Sequence, residues 1–167
     1  MNEQVIILGE ILLAALLGGL VGLEREFARK PAGLRTHMLV AICASFLVAL
    51  GRYVVTDLVS PDVERVDPIR IIEAVIVGVS FLGAGTILRV RGGSAVEGLT
   101  TSASVLSAAA IGIGCALGLV QLTIAVTLVV LFVNRGLNPV ERWLQTRVIE
   151  QRVHQTDSSS GPIDQDQ

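Results

Sequence analysis

The sequence predicts an all-α polytopic membrane protein, a bundle of about five transmembrane helices, and three observations predict it. First, 51% of the residues are hydrophobic and the mean hydropathy is +0.67. A soluble chain of 167 residues has too much surface to hide that much apolar material. Second, the hydrophobicity is blocky: charges collect at 24–35, 52–73, 89–97 and 135–152, and runs of about membrane-spanning length lie between them. Third, the basic residues segregate. The segments 24–35, 89–91 and 135–152 hold Arg25, Arg29, Lys30, Arg35, Arg89, Arg91, Arg135, Arg142, Arg147 and Arg152, whereas the opposite side has Arg52, Arg65 and Arg70, outnumbered by acids. The positive-inside bias then places the amino terminus outside and the carboxyl terminus in the cytoplasm.

The first span is expected over Val5–Leu23. Glu3 and the length of the apolar run argue against a cleavable signal. Small residues recur along it, including the pair Gly18 and Gly22, which gives a flat face for close helix contact. Glu10 either reaches the outer headgroups or turns into the bundle, where an ionisable group needs a partner or a function. Pro31 and Gly33 break the helix, and Thr36 is placed to cap a second span, Thr36–Leu50, extending toward Val55. A polar, acidic connection, Thr56–Pro68, leads to a third span over Ile69–Leu88. Near its entry Arg70 and Glu73 are three apart and able to pair; the same face continues through Val77, Ser80 and Ala84.

A turn with Arg89 and Arg91 precedes the fourth span, about Leu99–Leu117. Ala103, Ser107, Ala110, Gly114 and Gly118 form a stripe of small residues there, and its hydroxyls either bond back to helical carbonyls or line a polar path. A very short turn joins it to a fifth span, about Leu119–Val133. These spans make up a transmembrane domain over 1–137. A short basic interfacial helix anchored by Trp143 is expected over 138–154, and a disordered tail over 155–167.

The motifs exclude several chemistries. The Gly-Ala-Gly of 83–85 has no strand before it, and there is no phosphate-binding Gly-Lys-Ser/Thr loop, CxxC or HExxH. The span-four serines have no histidine in their own span, so no hydrolase triad is expected and the chain reads as a non-enzyme. A net charge of −2 gives no field for nucleic acid. Cys43 and Cys115 read as small buried packing residues. The carboxylates Glu10, Glu24, Glu26, Glu73 and Glu97 are the better leads, because magnesium takes oxygen ligands and keeps several waters. Arg25, Arg29 and Arg35 beside Glu24 and Glu26 fit ion pairing equally, or binding of anionic lipid headgroups or an acidic partner.

The stretches GGLVGLERE at 18–26, KPAGLRTHMLV at 30–40, the DP-x-R of Asp67–Arg70, GVSFLGAGTI at 78–87, GLTTSASV at 98–105, AAIG at 109–112 and NPVERWL at 138–144 carry a resemblance. In this order and spacing the chain resembles the MgtC/SapB family of bacterial inner-membrane proteins over nearly all of residues 8–144. The resemblance implies a five-span membrane domain, and functional positions at Glu24, Arg25, Arg35, Thr36, His37, Asp67, Arg70, Gly83, Gly85, Gly98, Thr100 and Thr101. Val79, Ser80, Glu73, Ala74 and Leu106 depart from the family's usual residues. The chain is expected to match the short form, which lacks a soluble carboxyl-terminal domain. Through its long members the family is linked to growth in low magnesium and to restraint of the membrane ATP synthase.

Two functions follow as expectations. One is a multi-pass inner-membrane regulator of magnesium or ion homeostasis that contacts a membrane complex such as an ATP synthase or transport ATPase. The other is an oligomeric transporter or channel carrying magnesium or another ion past Glu10, Glu73 and the span-four hydroxyls. No cofactor is expected beyond magnesium as substrate or ligand. The expected partners are membrane lipids, a membrane complex and further copies of the chain.

Overall fold

The computed structural model of the protein describes residues 3–55, 67–89 and 96–136. The interfacial helix with Trp143, the tail and most of the 56–68 connection lie outside the described residues. The chain divides into two compact units, 1–131 and 132–167; of the second, the end of the last helix, 132–136, is described.

The elements are α1 (Glu3–Phe27), α2 (Leu34–Tyr53), α3 (Pro68–Gly85), β1 (Leu88–Arg89), β2 (Val96–Glu97), α4 (Leu99–Ala116) and α5 (Val120–Gly136). This is an all-α bundle. By length and composition α1, α2 and α4 are long and apolar enough to cross a membrane, and α5 is a shorter apolar helix. β1 and β2 form a two-residue antiparallel ladder, Leu88 opposite Glu97 and Arg89 opposite Val96, where the sequence reads only as a turn.

Local chemistry sets the helix ends. α1 runs a turn past the expected Leu23, because Leu-Glu-Arg-Glu is a run of good helix formers. It closes with Arg29 N–H donating to the Glu26 carbonyl and Lys30 N–H to that of Arg25, with Arg29 left-handed at φ 54° and Pro31 barring continuation. Thr36 does not cap α2. The helix begins two residues earlier, at Leu34, with Gly33 at the cap position and no side-chain bond from it. The carboxylate Oε2 of Glu26, at the end of α1, accepts from Leu34 N–H at 2.9 Å and serves instead. At α3 the DP pair is a helix start: Asp67 accepts from Ile69 N–H at 3.0 Å and Pro68 occupies the first turn, where its missing N–H costs nothing. Gly98 (φ 93°) opens α4 in a position where a Cβ would strike the Thr86 carbonyl. Gly118 (φ 71°) closes α4, with Leu119 N–H reaching back to the Gly114 carbonyl.

Burial is inverted relative to a soluble protein. Among the described residues half of the sixteen buried hydrophobic ones are alanines, whereas the leucines of α1 at 8, 12, 16 and 20, with Phe27, face outward. Lipid tails are as apolar as leucine, so the interior gains from close van der Waals approach of small residues rather than from hiding large ones. α2 sits between α1 and α4. A Cβ on Gly18 would lie 2.6 Å from Ala41 Cβ, and one on Gly112 of α4 would strike the Ala41 carbonyl. Gly22 approaches the start of α2, where a Cβ would come within 2.8 Å of Leu34 Cα and 2.9 Å of both the Gly33 carbonyl and His37 Cβ. α3 is more peripheral: Val75 is its buried hydrophobic residue, and Glu73, Val77, Ser80 and Ala84 form an exposed face. α5 buries a narrow line through Thr123 and Thr127, each hydroxyl bonded to the carbonyl four residues back.

The glycine contacts are directly testable. Gly22→Leu has only backbone and Cβ atoms to push against, so it is expected to destabilise the bundle by about 1–3 kcal/mol. Gly78→Leu, whose Cβ meets nothing within 4 Å, is expected to leave stability unchanged or raised. Unfolding of both variants in mixed micelles by denaturing detergent checks the contrast.

Candidate functional site

Two polar clusters join α1, α2 and α4. The first lies where α1 ends and α2 and α4 begin. His37 is 0% exposed, Arg25 2%, and Thr101 and Ser104 3% each. The helix start at Leu34 puts His37 a turn inside α2, facing inward under Gly22, while Arg35 and Thr36 fall on the exposed side. His37 Nδ1 is 2.9 Å from the Gly33 carbonyl, which can only accept, so Nδ1 carries the proton. In the neutral ring Nε2 is then the acceptor, and the Ser104 hydroxyl donates to it at 2.5 Å. Ser104 therefore does have a histidine partner, supplied by a different helix. That corrects the expectation drawn from span four alone.

The pair has the composition of a nucleophile and its base, but both side chains are buried, which fits a clasp between α2 and α4. Thr101 lies one turn before Ser104 on the same buried face of α4. Arg25 enters from α1, with Glu24 its neighbouring opposite charge. Arg25 Nε and one terminal nitrogen, and Glu24 Oε2, are buried without a hydrogen-bond partner among the described residues.

The second cluster is at the other end of the same three helices. Glu10 neither reaches headgroups alone nor waits for an ion: its carboxylate accepts from Arg52 of α2 at 3.0 and 3.2 Å. Arg52 also donates to the Ala116 carbonyl at the end of α4, at 2.5 Å. The positive charge thus meets both a carboxylate and the orphan acceptors of a helix terminus.

The remaining candidates are dispersed. Arg35 and Thr36 are exposed and line a polar pocket of about 540 Å³ with Glu26, Lys30 and Gly33. Arg70 and Glu73 are both exposed and do not pair with each other. Gly83 packs against Ser102, while Gly85 is open and Thr100 is exposed. On α4 the small-residue stripe is turned away from the core: Ala103 and Ala110 are exposed, Ser107 bonds back to the Ala103 carbonyl at 2.9 Å, and Gly114 faces Thr123 of α5. Glu10, Glu73 and Ser107 thus have separate surroundings. Among the described residues no three His, Cys, Asp or Glu side chains gather as metal ligands. Cys115 is buried as expected, but Cys43 lies on the outward side of α2. Sequence reading noticed Ser104, Arg52 and Glu26 but missed the contacts they make across helices. The unpaired Glu10 and the arginine at 52 near the end of an apolar run were the signals for one of these contacts.

If the His37–Ser104 clasp holds α2 to α4, a double-mutant cycle of His37→Ala and Ser104→Ala measured by detergent unfolding will give a coupling of about 0.5–1.5 kcal/mol. Additive effects would show the contact contributes nothing.

The sequence profile of the MgtC family matches residues 11–143. An uncharacterised protein of Haemophilus influenzae is 37% identical over 154 residues, 90% of this chain and 63% of its own length. Protein MgtC of Brucella abortus is 37% identical over 142 residues, 85% of this chain and 56% of its own. YhiD of Escherichia coli (strain K12), whose name marks it as a candidate magnesium transporter, is 41% identical over 114 residues, 68% of this chain and 52% of its own. The chain thus spans between half and two thirds of the length of these relatives. No solved structure matches it. Apolar helices, an inverted interior and the family profile converge: the chain is a membrane protein and belongs to the MgtC family.

Proposed function

We propose that the protein serves magnesium or ion homeostasis in the bacterial inner membrane as a regulator, and that it acts by helix contact on a membrane complex such as an ATP synthase or transport ATPase. The magnesium link rests on the family and on the name given to YhiD. The observation that carries the regulatory reading is that Glu10 and His37 are engaged inside the bundle, with Arg25 and Glu24 only partly so. Glu10 is bonded to Arg52, His37 to Ser104 and Gly33, and the helices between them are closed by glycine and alanine contacts. On α4, Ala103 and Ala110 remain exposed with Ser107 half-buried between them, a surface that admits another helix at short distance. Gly18 and Gly22 are already used within the chain, so they are not the partner-facing residues in this reading. The carrier reading draws on YhiD's name and on the exposed Glu73, which further copies of the chain would have to enclose.

The purified protein alone in liposomes is expected to give no magnesium flux above protein-free vesicles. Ala103→Leu combined with Ala110→Leu is expected to abolish capture of the ATP synthase or transport ATPase from membranes while insertion is kept. Flux that disappears in Glu73→Gln would instead establish a carrier, and capture that survives the α4 double variant would remove this contact face.

A further inference from the structure

An apolar groove of about 630 Å³ runs along α2 and α3. Leu39, Cys43 and Leu47 form one wall, Ala74, Gly78 and Leu82 the other, and among the described residues the single charged one in the lining is Arg70. We propose that this groove is a binding site for one phospholipid of the surrounding bilayer, with an acyl chain lying along α2 and α3 and the phosphodiester on Arg70.

Three observations carry this. The first is charge. Among the described residues Arg70 is exposed, pairs with no carboxylate, and shares the groove with no acid. A guanidinium at the rim of an apolar cleft offers the planar donors that a phosphate oxygen pair accepts. The second is length. From Arg70 to Leu82 is twelve residues of helix, about 18 Å at 1.5 Å per residue, against about 15 Å for half of a 30 Å hydrocarbon core. With Arg70 in the first turn of α3 at headgroup depth, the groove reaches the bilayer midplane, as a single chain of one leaflet does. The third is room: a Cβ on Gly78 would meet nothing within 4 Å, so the wall is open at mid-depth where a chain would pass. Cys43, expected in the core, faces this space.

The test is photolabelling of the protein in vesicles of phosphatidylethanolamine and phosphatidylglycerol, each in turn doped with the same lipid carrying a diazirine at mid-chain. Adducts are mapped by peptide mass spectrometry. Adducts from both lipids are expected to concentrate on residues 39–47 and 74–82. Arg70→Gln should lower them about five-fold, the effect of one basic side chain near the surface; Arg70→Lys should retain most of them, and Gly78→Leu should lower them by filling the wall. Equal labelling of the outward faces of α4 and α5 at Leu106, Leu122 and Val129, or labelling indifferent to Arg70→Gln and Gly78→Leu, would overturn the proposal. So would protein–protein cross-links across the groove in place of lipid adducts, which would assign it to a second copy.

Discussion

The structure depends on how closely α2 approaches both of its neighbours at Ala41. Gly18 of α1 and Gly112 of α4 both meet this residue, and neither position has space for a Cβ. In lipid there is no hydrophobic penalty to separating two apolar helices, so short-range packing must supply the attraction. Small residues allow it by letting backbones approach. The same contact sets the register of α1 on α2, which puts Gly22 over His37 and Glu10 beside Arg52. If α1 slid by one turn, Glu10 would leave Arg52 and Gly22 would leave His37 at once.

The clusters explain how ionisable groups are tolerated inside an apolar bundle. His37 and Arg52 are fifteen residues apart on α2, about 22 Å along the helix, and each ties α2 to the corresponding end of α4. Parallel α2 and α4 are thus pinned at two levels, with antiparallel α1 contributing a charge to each. Ionisable side chains in such surroundings are costly unless paired. Glu10 and Arg52 meet that condition by mutual contact, and His37 meets it with fixed donor and acceptor roles. Arg25 meets it only in part, since Glu24 balances its charge without bonding its buried nitrogens. The cluster at the α1–α2 turn is therefore the less fully satisfied of the two.

Much of the fold was legible because a membrane imposes simple rules. The blocks of apolar residues mark the five helices to within a few positions, and Pro31, Gly33 and Pro68 mark ends, whereas Gly118, read as part of the α4 stripe, lies past the end of that helix. The Gly18–Gly22 pair could be read as a packing face; that its counterpart is Ala41 and His37 of the next helix could not. Partnerships across helices are the part sequence does not carry. Glu10 and Arg52, or His37 and Ser104, are separated by 42 and 67 residues, and no local periodicity links them. The α2 cap was misread for the same reason: Thr36 has the right chemistry at the right distance, but Glu26 from the preceding helix reaches Leu34 first. For the α4 stripe, the presence of small residues was visible and their outward direction was not.

The family motifs divide along the same line. Arg25, His37 and Thr101 converge inside, whereas Asp67 caps a helix, Gly98 makes a turn, and Arg35, Thr36 and Arg70 are exposed. A shared motif in this chain therefore marks at least three kinds of constraint. Burial separates them better than residue type does: of the arginines near the ends of α1, α2 and α3, Arg25 is enclosed, Arg52 is half enclosed in an ion pair, and Arg70 opens onto an apolar groove. A positive-inside tally weighs all three alike as topological charges, yet only groups in contact with the membrane surface feel its potential. Removing Arg25 from the tally leaves Arg29, Lys30 and Arg35 exposed at the α1–α2 turn. At this turn the predicted orientation therefore draws on these three residues, while Arg25 is better understood as part of the contact that holds α1 against the starts of α2 and α4.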